Sequence, residues 1–463
     1  MALPYNVEVL EICQISAPLG SVSTTSLPLT FFDLPWLVLP PVQNIFYYEF
    51  HHPKDYFMNT ILPNLKHALS LTLQHFCPLT GHFSWPQDSA KPQIVFKDGD
   101  SVPLIVAECN YDFNRLLGNH PRNANEFYPL VATYEHAKLT FPLLALQVTL
   151  FPNKGICIGI TIDHAAMDGR TFHHFIKSWA SICKSQGDTS FLTESLPFYD
   201  RAIVKDRNGF EIVNLNDLKM INITKETFNS IKKVPTAPFD KVRGTFVMSC
   251  SEIKQLKQWV LTHLEKDKKN VPPVHLSTFV LISAYVWICS IKARCGTESA
   301  VDVCEDAKEY FMFSVDCRAR LDPPLPTAYW GNCIGGVVVK SDRKQLLGEN
   351  GIAIATKAIG KGIMNADTEV WSLMEKGFSY YTSIPPGQFD TVSGSNKFGI
   401  YEIDFGWGNP KKNEANLTDF GGAIYLTDSP NEEGAVEIAL VRHAVEMDEF
   451  ASIFAKTLKV LDS

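Results

Sequence analysis

The sequence predicts an α/β protein built from two domains, and three observations lead there. At 463 residues the chain exceeds what one hydrophobic core usually serves, which favours two units of roughly 200 residues. Stretches with strand and helix periodicity alternate along it, with no repeat and no low-complexity tract. The composition, 45% hydrophobic and 20% charged, is that of an ordinary globular protein.

Taken in order, residues 59–76 (NTILPNLKHALSLTLQHF) place Leu62, Leu65, Leu69, Leu73 and Phe76 at helical steps of three and four. Pro63 fits such a helix only in its first turn. Residues 143–150 (LLALQVTL) and 156–162 (ICIGITI) flank FPNKG and read as a hairpin. In the second strand Ile156, Ile158, Ile160 and Ile162 alternate with Cys157, Gly159 and Thr161, so one face is aliphatic and the other small or polar. Phe172, Phe175, Ile176, Trp179 and Ile182 then recur at helical spacing to about Lys184. Residues 184–220 read as loop-like, and the crossover between domains is placed at 201–220, dividing the chain into 1–200 and 221–463. The second half predicts a strand at 242–248, a helix at 251–262 and a long apolar helix at about 277–291. Ser277 or Thr278 is its cap. Residues 292–309 read as an exposed excursion before a strand at 310–315.

Several function classes lose ground on composition. The net charge of −8 argues against a general nucleic-acid binder, which needs clustered Lys and Arg. None of the 11 cysteines forms a CxxC pair, so neither a zinc ribbon nor a dithiol motif is indicated and reduced, buried thiols are expected. The start, MALPYNVEVLEICQI, has no basic region and carries Glu8 and Glu11, a poor secretory signal. No run of 18 or more apolar residues occurs, so no membrane span is expected. A cytoplasmic protein is the expectation.

The junction between the second hairpin strand and the following helix reads HAAMDG, residues 164–169. His164 titrates near neutrality in an unperturbed setting and can accept a proton there. Ala165 and Ala166 leave room for a substrate. No GxSxG elbow occurs, so a serine-hydrolase reading has no nucleophile. A histidine acting alone as base suits a reaction whose substrate brings its own nucleophile, such as a hydroxyl attacking an activated acyl group. The same residues also fit a satisfied core histidine and a helix N-cap at Asp168. As metal ligands they would form an incomplete set.

HxxxD followed by Gly at 164–169, together with Asp404-Phe405-Gly406-Trp407-Gly408 about 240 residues later, resembles the paired signatures of the plant BAHD acyl-CoA-dependent acyltransferases. Tyr329-Trp330-Gly331-Asn332-Cys333 resembles the YFGNC motif of the anthocyanin and flavonoid-glucoside acyltransferase clade, with Trp for Phe. LPLTFFDLPWL (27–37), NLKHALSLTLQHF (64–76) and GNHPRNANEFY (118–128) are similar to that clade too.

The resemblance implies two chloramphenicol-acetyltransferase-like domains with a channel between them, acyl-CoA entering from one side and a phenolic glycoside from the other. It implies His164 as general base in a direct ternary-complex transfer, with no bound cofactor, no metal, and acyl-CoA as co-substrate. Asp168 becomes a strut for the His164 loop, paired with Arg318 in preference to Arg320. DFGWG (404–408) is architectural, with Asp404 bracing a loop and Trp407 bordering the channel. Residues 392–398, with Ser393, Gly394 and Lys397, resemble the loop that approaches acyl-CoA. Lys241 and Arg243, with Ser277 and Thr278 at a helix start that favours anions, are further candidates, as is Arg170, and an ordinary surface salt bridge fits each of these cations equally well. It assigns the acceptor pocket to Phe32, Asp33, Trp36, Tyr329, Trp330, Asn332 and Trp407. Arg170, beside the catalytic turn, favours a malonyl donor because a free carboxylate wants a cationic partner; a hydroxycinnamoyl donor is the alternative. A catalytically silent binding protein and a metal-dependent hydrolase are the competing classes. The family resemblance also implies a monomer.

Overall fold

The computed structural model describes residues 6–136, 142–228, 240–265, 276–297, 307–415 and 422–461. The first half contributes β1 (Val7–Ser16), β2 (Thr25–Pro28), β3 (Val42–Glu49), β4 (His82–Ser84), β5 (Gln93–Phe96), β6 (Ser101–Cys109), β7 (Arg122–Asn123), β8 (Leu144–Phe151) and β9 (Gly155–Ile162). The second half contributes β10 (Lys241–Met248), β11 (Lys308–Asp316), β12 (Ile334–Asp342), β13 (Phe389–Gly394), β14 (Lys412–Ala415), β15 (Ala423–Asp428) and β16 (Val436–His443). They form a six-stranded sheet ordered β1-β6-β8-β9-β3-β14, a seven-stranded sheet ordered β12-β11-β13-β15-β16-β10-β7, and a small β2-β5-β4 sheet. Helices pack against both large sheets, so the mixed α/β reading holds.

A cut at 201–220 separates the halves in sequence, but the sheets do not respect it. β14, from the second half, pairs antiparallel with β3 of the first sheet. β7, from the first half, pairs with β10 of the second. Each half thus lends the other an edge strand, which closes an otherwise open row of backbone donors and acceptors. Residues 201–220 are also not a plain loop: helix Phe210–Met220 lies there, with Phe210 and Leu218 buried.

The hairpin forms as β8 and β9, antiparallel throughout, and both faces of β9 are buried. Ile156, Ile158, Ile160 and Ile162 enter the main core of the first half. Segment 130–132 covers the other face, and that cover explains the small residues: a Cβ on Gly159 would lie 2.0 Å from the Leu130 carbonyl oxygen. Thr161 Oγ1 donates to the Ala132 carbonyl. Helix Leu62–His75 follows without a break from the helical turns Lys54–Tyr56 and Phe57–Ile61, the second of them wound as a π-helix. Pro63 therefore lies inside a continuous helical stretch and not in a first turn, just after the π-wound turn that interrupts the regular hydrogen-bond ladder.

Helix Thr278–Thr297 is apolar all round, as fits a helix packed on every side. Its length and hydropathy would suffice to cross a membrane, and here it runs through the second core. Ser277 is its cap, accepting from the Val280 N–H at 3.3 Å. The helix continues to Thr297 and β11 begins at Lys308, so the 292–309 excursion is shorter than expected; residues 298–306 lie outside the described residues.

Candidate active site

β9 ends at Ile162, and the chain then turns through Asp163 and His164 before helix Gly169–Lys184 begins. Asp163 fixes the turn: its backbone N–H donates to the Leu143 carbonyl at 2.9 Å and its carboxylate accepts from the Ala165 N–H at 3.0 Å. Ala165, Ala166 and Met167 are buried. The loop is therefore anchored on both sides of the histidine.

His164 itself is half-buried, and its ring stacks on the indole of Trp36, with centroids 3.8 Å apart and planes 10° apart. Nδ1 is shielded from solvent. Nε2 is thus the nitrogen left to face a substrate. Burial lowers the imidazole pKa below its ordinary 6.5, opposed in turn by its own backbone carbonyl, Asp168, Asp163 and Asn332. The ring is neutral at pH 7, the state a base requires.

Asp168 points elsewhere. Arg318 grips its carboxylate with both Nη groups, at 2.8 and 3.1 Å. The Thr171 N–H donates to Oδ1 at 3.0 Å and the Cys333 N–H to Oδ2 at 3.1 Å. Asp168 is therefore at once the N-cap of its helix and a strut to the second half, and both its carboxylate oxygens are taken by Arg318, Thr171 and Cys333. Arg320 is turned outward to Asp367, so Arg318 is the partner.

The YWGNC segment stands behind this loop. Asn332 Nδ2 donates to the His164 carbonyl at 2.8 Å and to Asp33 Oδ1 at 3.1 Å. Asp33 in turn pairs with buried Arg201, whose guanidinium lies over Tyr329 and Trp330. Gly331, at φ 128°, makes this possible, since a Cβ there would sit 2.8 Å from the Arg201 guanidinium. Five expected acceptor-pocket residues are corrected by this arrangement. Phe32, Asp33, Tyr329, Trp330 and Asn332 are each at most 1% exposed and build the support, not the wall. Of that set, Trp36 stacks on the imidazole.

DFGWG occupies the opposite end of the helix. Asp404 accepts from the Gly406 and Gly408 N–H groups at 2.8 and 2.9 Å and pairs with Lys184 at 2.8 Å, which braces the loop as expected. Phe405 meets Trp179 edge-on and stacks on Trp407. Trp407 packs against Tyr48 and Phe50. The helix between has 16 residues, about 24 Å at 1.5 Å per residue. Trp407 is consequently remote from His164.

The residues assigned to acyl-CoA divide. Arg243 is 1% exposed and bound to Glu414 and to the Ala415 carbonyl, so it is a structural cation and not a phosphate ligand. Ser277 is committed to its helix cap, beside Thr278. Lys241 opens β10. In the 393–398 loop, Ser393 Oγ donates to the Ile424 carbonyl. Gly394 adopts φ 79°, where a Cβ would lie 2.3 Å from the Leu426 carbonyl oxygen. Lys397 is exposed, and neighbouring Phe398 stacks on His173 at 4.3 Å, bringing the loop to the first turns of helix Gly169–Lys184. Arg170 is about half exposed, its Nε donating to Asp316 at 2.9 Å.

Sequence reasoning missed Arg201 and Asp163. Asp163 stands directly before the histidine, and its position at a strand end before a tight turn was the available signal. Arg201 carried none, because its partner Asp33 is 168 residues away.

Residues 6–457 match the model of the Transferase family. The chain is 37% identical over 460 residues to malonyl-coenzyme A:anthocyanin 3-O-glucoside-6''-O-malonyltransferase of Dahlia pinnata, covering 97% of each chain. It is 39% identical to phenolic glucoside malonyltransferase 1 of Nicotiana tabacum, covering 88% of each. A coumaroyl-CoA:anthocyanidin 3-O-glucoside-6''-O-coumaroyltransferase of Arabidopsis thaliana is 34% identical, over 98% of each. Among solved structures vinorine synthase shares the fold, with a TM-score of 0.69 and 20% identity over 96% of each chain.

Proposed function

The chain belongs to the Transferase family and is an acyl-CoA-dependent acyltransferase; from that premise we propose that it moves a malonyl group from malonyl-CoA to a sugar hydroxyl of an anthocyanin or flavonoid glucoside, with His164 as general base. The observation that carries the base assignment is the geometry of the His164 ring, stacked on Trp36 with Nδ1 shielded; burial, which lowers its pKa, favours the neutral form. Nε2 takes the proton of the acceptor hydroxyl. The oxygen bonds to the thioester carbonyl carbon, the tetrahedral intermediate collapses with cleavage of the carbon–sulfur bond, and the imidazolium returns its proton to the CoA thiolate. Both substrates are held together, so no acyl-enzyme forms and positioning supplies much of the rate. Acyl-CoA is a co-substrate in this scheme.

The malonyl donor is supported by the similarity to the Dahlia and tobacco malonyltransferases. Arg170 supports it as well, since its contact to Asp316 uses Nε and leaves the Nη fork for a carboxylate. The test is a competition assay by mass spectrometry. Purified protein receives equimolar malonyl-CoA and p-coumaroyl-CoA with an anthocyanidin 3-O-glucoside, beside His164→Ala. A malonylated product absent from the variant is expected. A coumaroylated product would keep the mechanism and overturn the donor; undiminished turnover by His164→Ala would overturn the base.

A further inference from the structure

A base that works through one imidazole nitrogen needs its ring held in orientation and its transient positive charge stabilised; many enzymes assign both tasks to a carboxylate on the other nitrogen. Here no carboxylate does so. Asp168 is bound by Arg318, Thr171 and Cys333, Asp163 caps its own turn, and Nδ1 is buried with no carboxylate bonded to it among the described residues; the polar side chain acting on the ring is the neutral Asn332 amide.

We infer that Trp36 takes the orienting carboxylate's place, its indole face fixing the His164 ring and stabilising the imidazolium formed during proton transfer. The inference rests on the general-base reading above. The geometry is that of a π-face contact, 3.8 Å between centroids at 10°, and an aromatic face attracts a cation. The contact is also rigid. Trp36 lies in the short helix Leu34–Val38, whose Leu34 and Leu37 are buried. Asp33, directly before that helix, binds Thr30 on one side and Asn332 on the other. Asn332 also holds the His164 carbonyl. One buried hub therefore sets the positions of both stacked rings. The charged groups acting on the imidazole are Asp163 and Asp168 from its own loop, with Arg318 behind Asp168 and the Asp33–Arg201 pair behind Asn332. Trp36 is accordingly a positioning residue.

The test compares Trp36→Phe, which keeps a π face, with Trp36→Leu, which keeps only apolar bulk, beside His164→Ala. Steady-state kcat and KM for malonyl-CoA and the glucoside are measured across pH, on protein checked by circular dichroism and thermal melting. If Trp36→Leu does not fold, Trp36→Met serves the same comparison. In Trp36→Leu we expect kcat to fall about a hundredfold with both KM values little changed, and the acid limb of kcat to move down by about half a pH unit. Trp36→Phe should recover most of kcat and restore the limb. A loss in KM for the glucoside alone, or equal kcat losses in the Phe and Leu variants, would overturn the inference. Full activity in Trp36→Leu with an inactive His164→Ala would sink it while sparing the base; an active His164→Ala would sink the base first and this inference with it.

Discussion

Asn332 and Asp33 lie 299 residues apart in sequence and are joined by two hydrogen bonds, one from the Asn332 backbone N–H at 3.0 Å and one from its Nδ2 at 3.1 Å. The same Nδ2 reaches the His164 carbonyl at 2.8 Å. Asn332 therefore couples the backbone of His164 to a buried carboxylate of the first half. Asn332→Ala should lower kcat by about a hundredfold through displacement of the His164 loop. Loss of the side-chain bonds should cost about 2 kcal/mol in a denaturant melt. A variant with wild-type kcat and lowered stability would show that the loop does not depend on this bond.

The bidentate Asp168–Arg318 pair is buried on both sides, at 0% and 4% side-chain exposure. Breaking such a pair from one side leaves an uncompensated charge and costs about 3–5 kcal/mol. Asp168→Ala should thus reduce activity mainly through stability, with kcat recovering toward wild type as temperature is lowered. Asp168→Asn keeps a cap oxygen for Thr171 and should be milder. A triad acid behaves differently, losing about 10⁴ in kcat with its fold intact. That second pattern, seen in Asp168→Asn, would contradict the strut.

These two arrangements show what was legible in the sequence. His164, Asp168 and the helix after them announce themselves locally: a β-branched run ends, the period changes, and an Asp stands at the N-cap. Arg318 and the bracing role of Asp404 followed from family resemblance. The resemblance places Phe32, Asp33, Tyr329, Trp330 and Asn332 in the acceptor pocket, because a motif match carries a position near the site and not its depth. Sequence spacing does not say which side of the backbone they occupy. Arg243 was misread for a related reason, since its partner Glu414 arrives on an exchanged strand 171 residues later. Helix Phe210–Met220 escaped notice because its buried positions, Phe210 and Leu218, are too few for a continuous apolar stripe.

Glu414 makes the exchange of strands pH-sensitive. Burial alone would push its carboxyl up, but Arg122, Arg243 and Lys412 outweigh it and hold it at about 2, against an ordinary 4.5. A carboxyl depressed in the folded state contributes stability that is complete above its unfolded value and lost as pH falls through the folded one. The contribution here is about 3 kcal/mol, present above pH 4.5 and lost between there and pH 2. Glu414→Gln should flatten the stability curve in that window and leave Arg122 and Arg243 facing a neutral amide, costing about 3–5 kcal/mol at pH 7. Melting temperatures from pH 7 to pH 2 decide it, and an unchanged slope in the variant would count against the assignment.

The base itself sets a second pH window. The His164 pKa is lowered chiefly by burial, and a base must be neutral to work. Activity should then rise through the acid limb of kcat/KM with a midpoint below 6.5 and be level at pH 7. A midpoint above 7 would mean that the free enzyme holds His164 protonated, contrary to this site.

Arg170 offers the sharpest test of donor choice. It sits at the second position of the catalytic helix, half exposed, and its Nε is tied to Asp316. Asp316 also accepts from Arg318 Nη1 at 3.3 Å and from its backbone N–H at 3.0 Å, so the strut that fixes Asp168 aims Arg170 as well. If Arg170 meets the malonyl carboxylate as proposed, one charge-assisted pair is worth about 1.5–3 kcal/mol. Arg170→Ala should therefore raise KM for malonyl-CoA by about tenfold or more while p-coumaroyl-CoA, which lacks the carboxylate, is used as before. Arg170→Lys should recover part of the loss, since an ammonium keeps the charge but not the fork. Equal losses for the two donors would assign Arg170 to the helix surface and take away its part in donor selection.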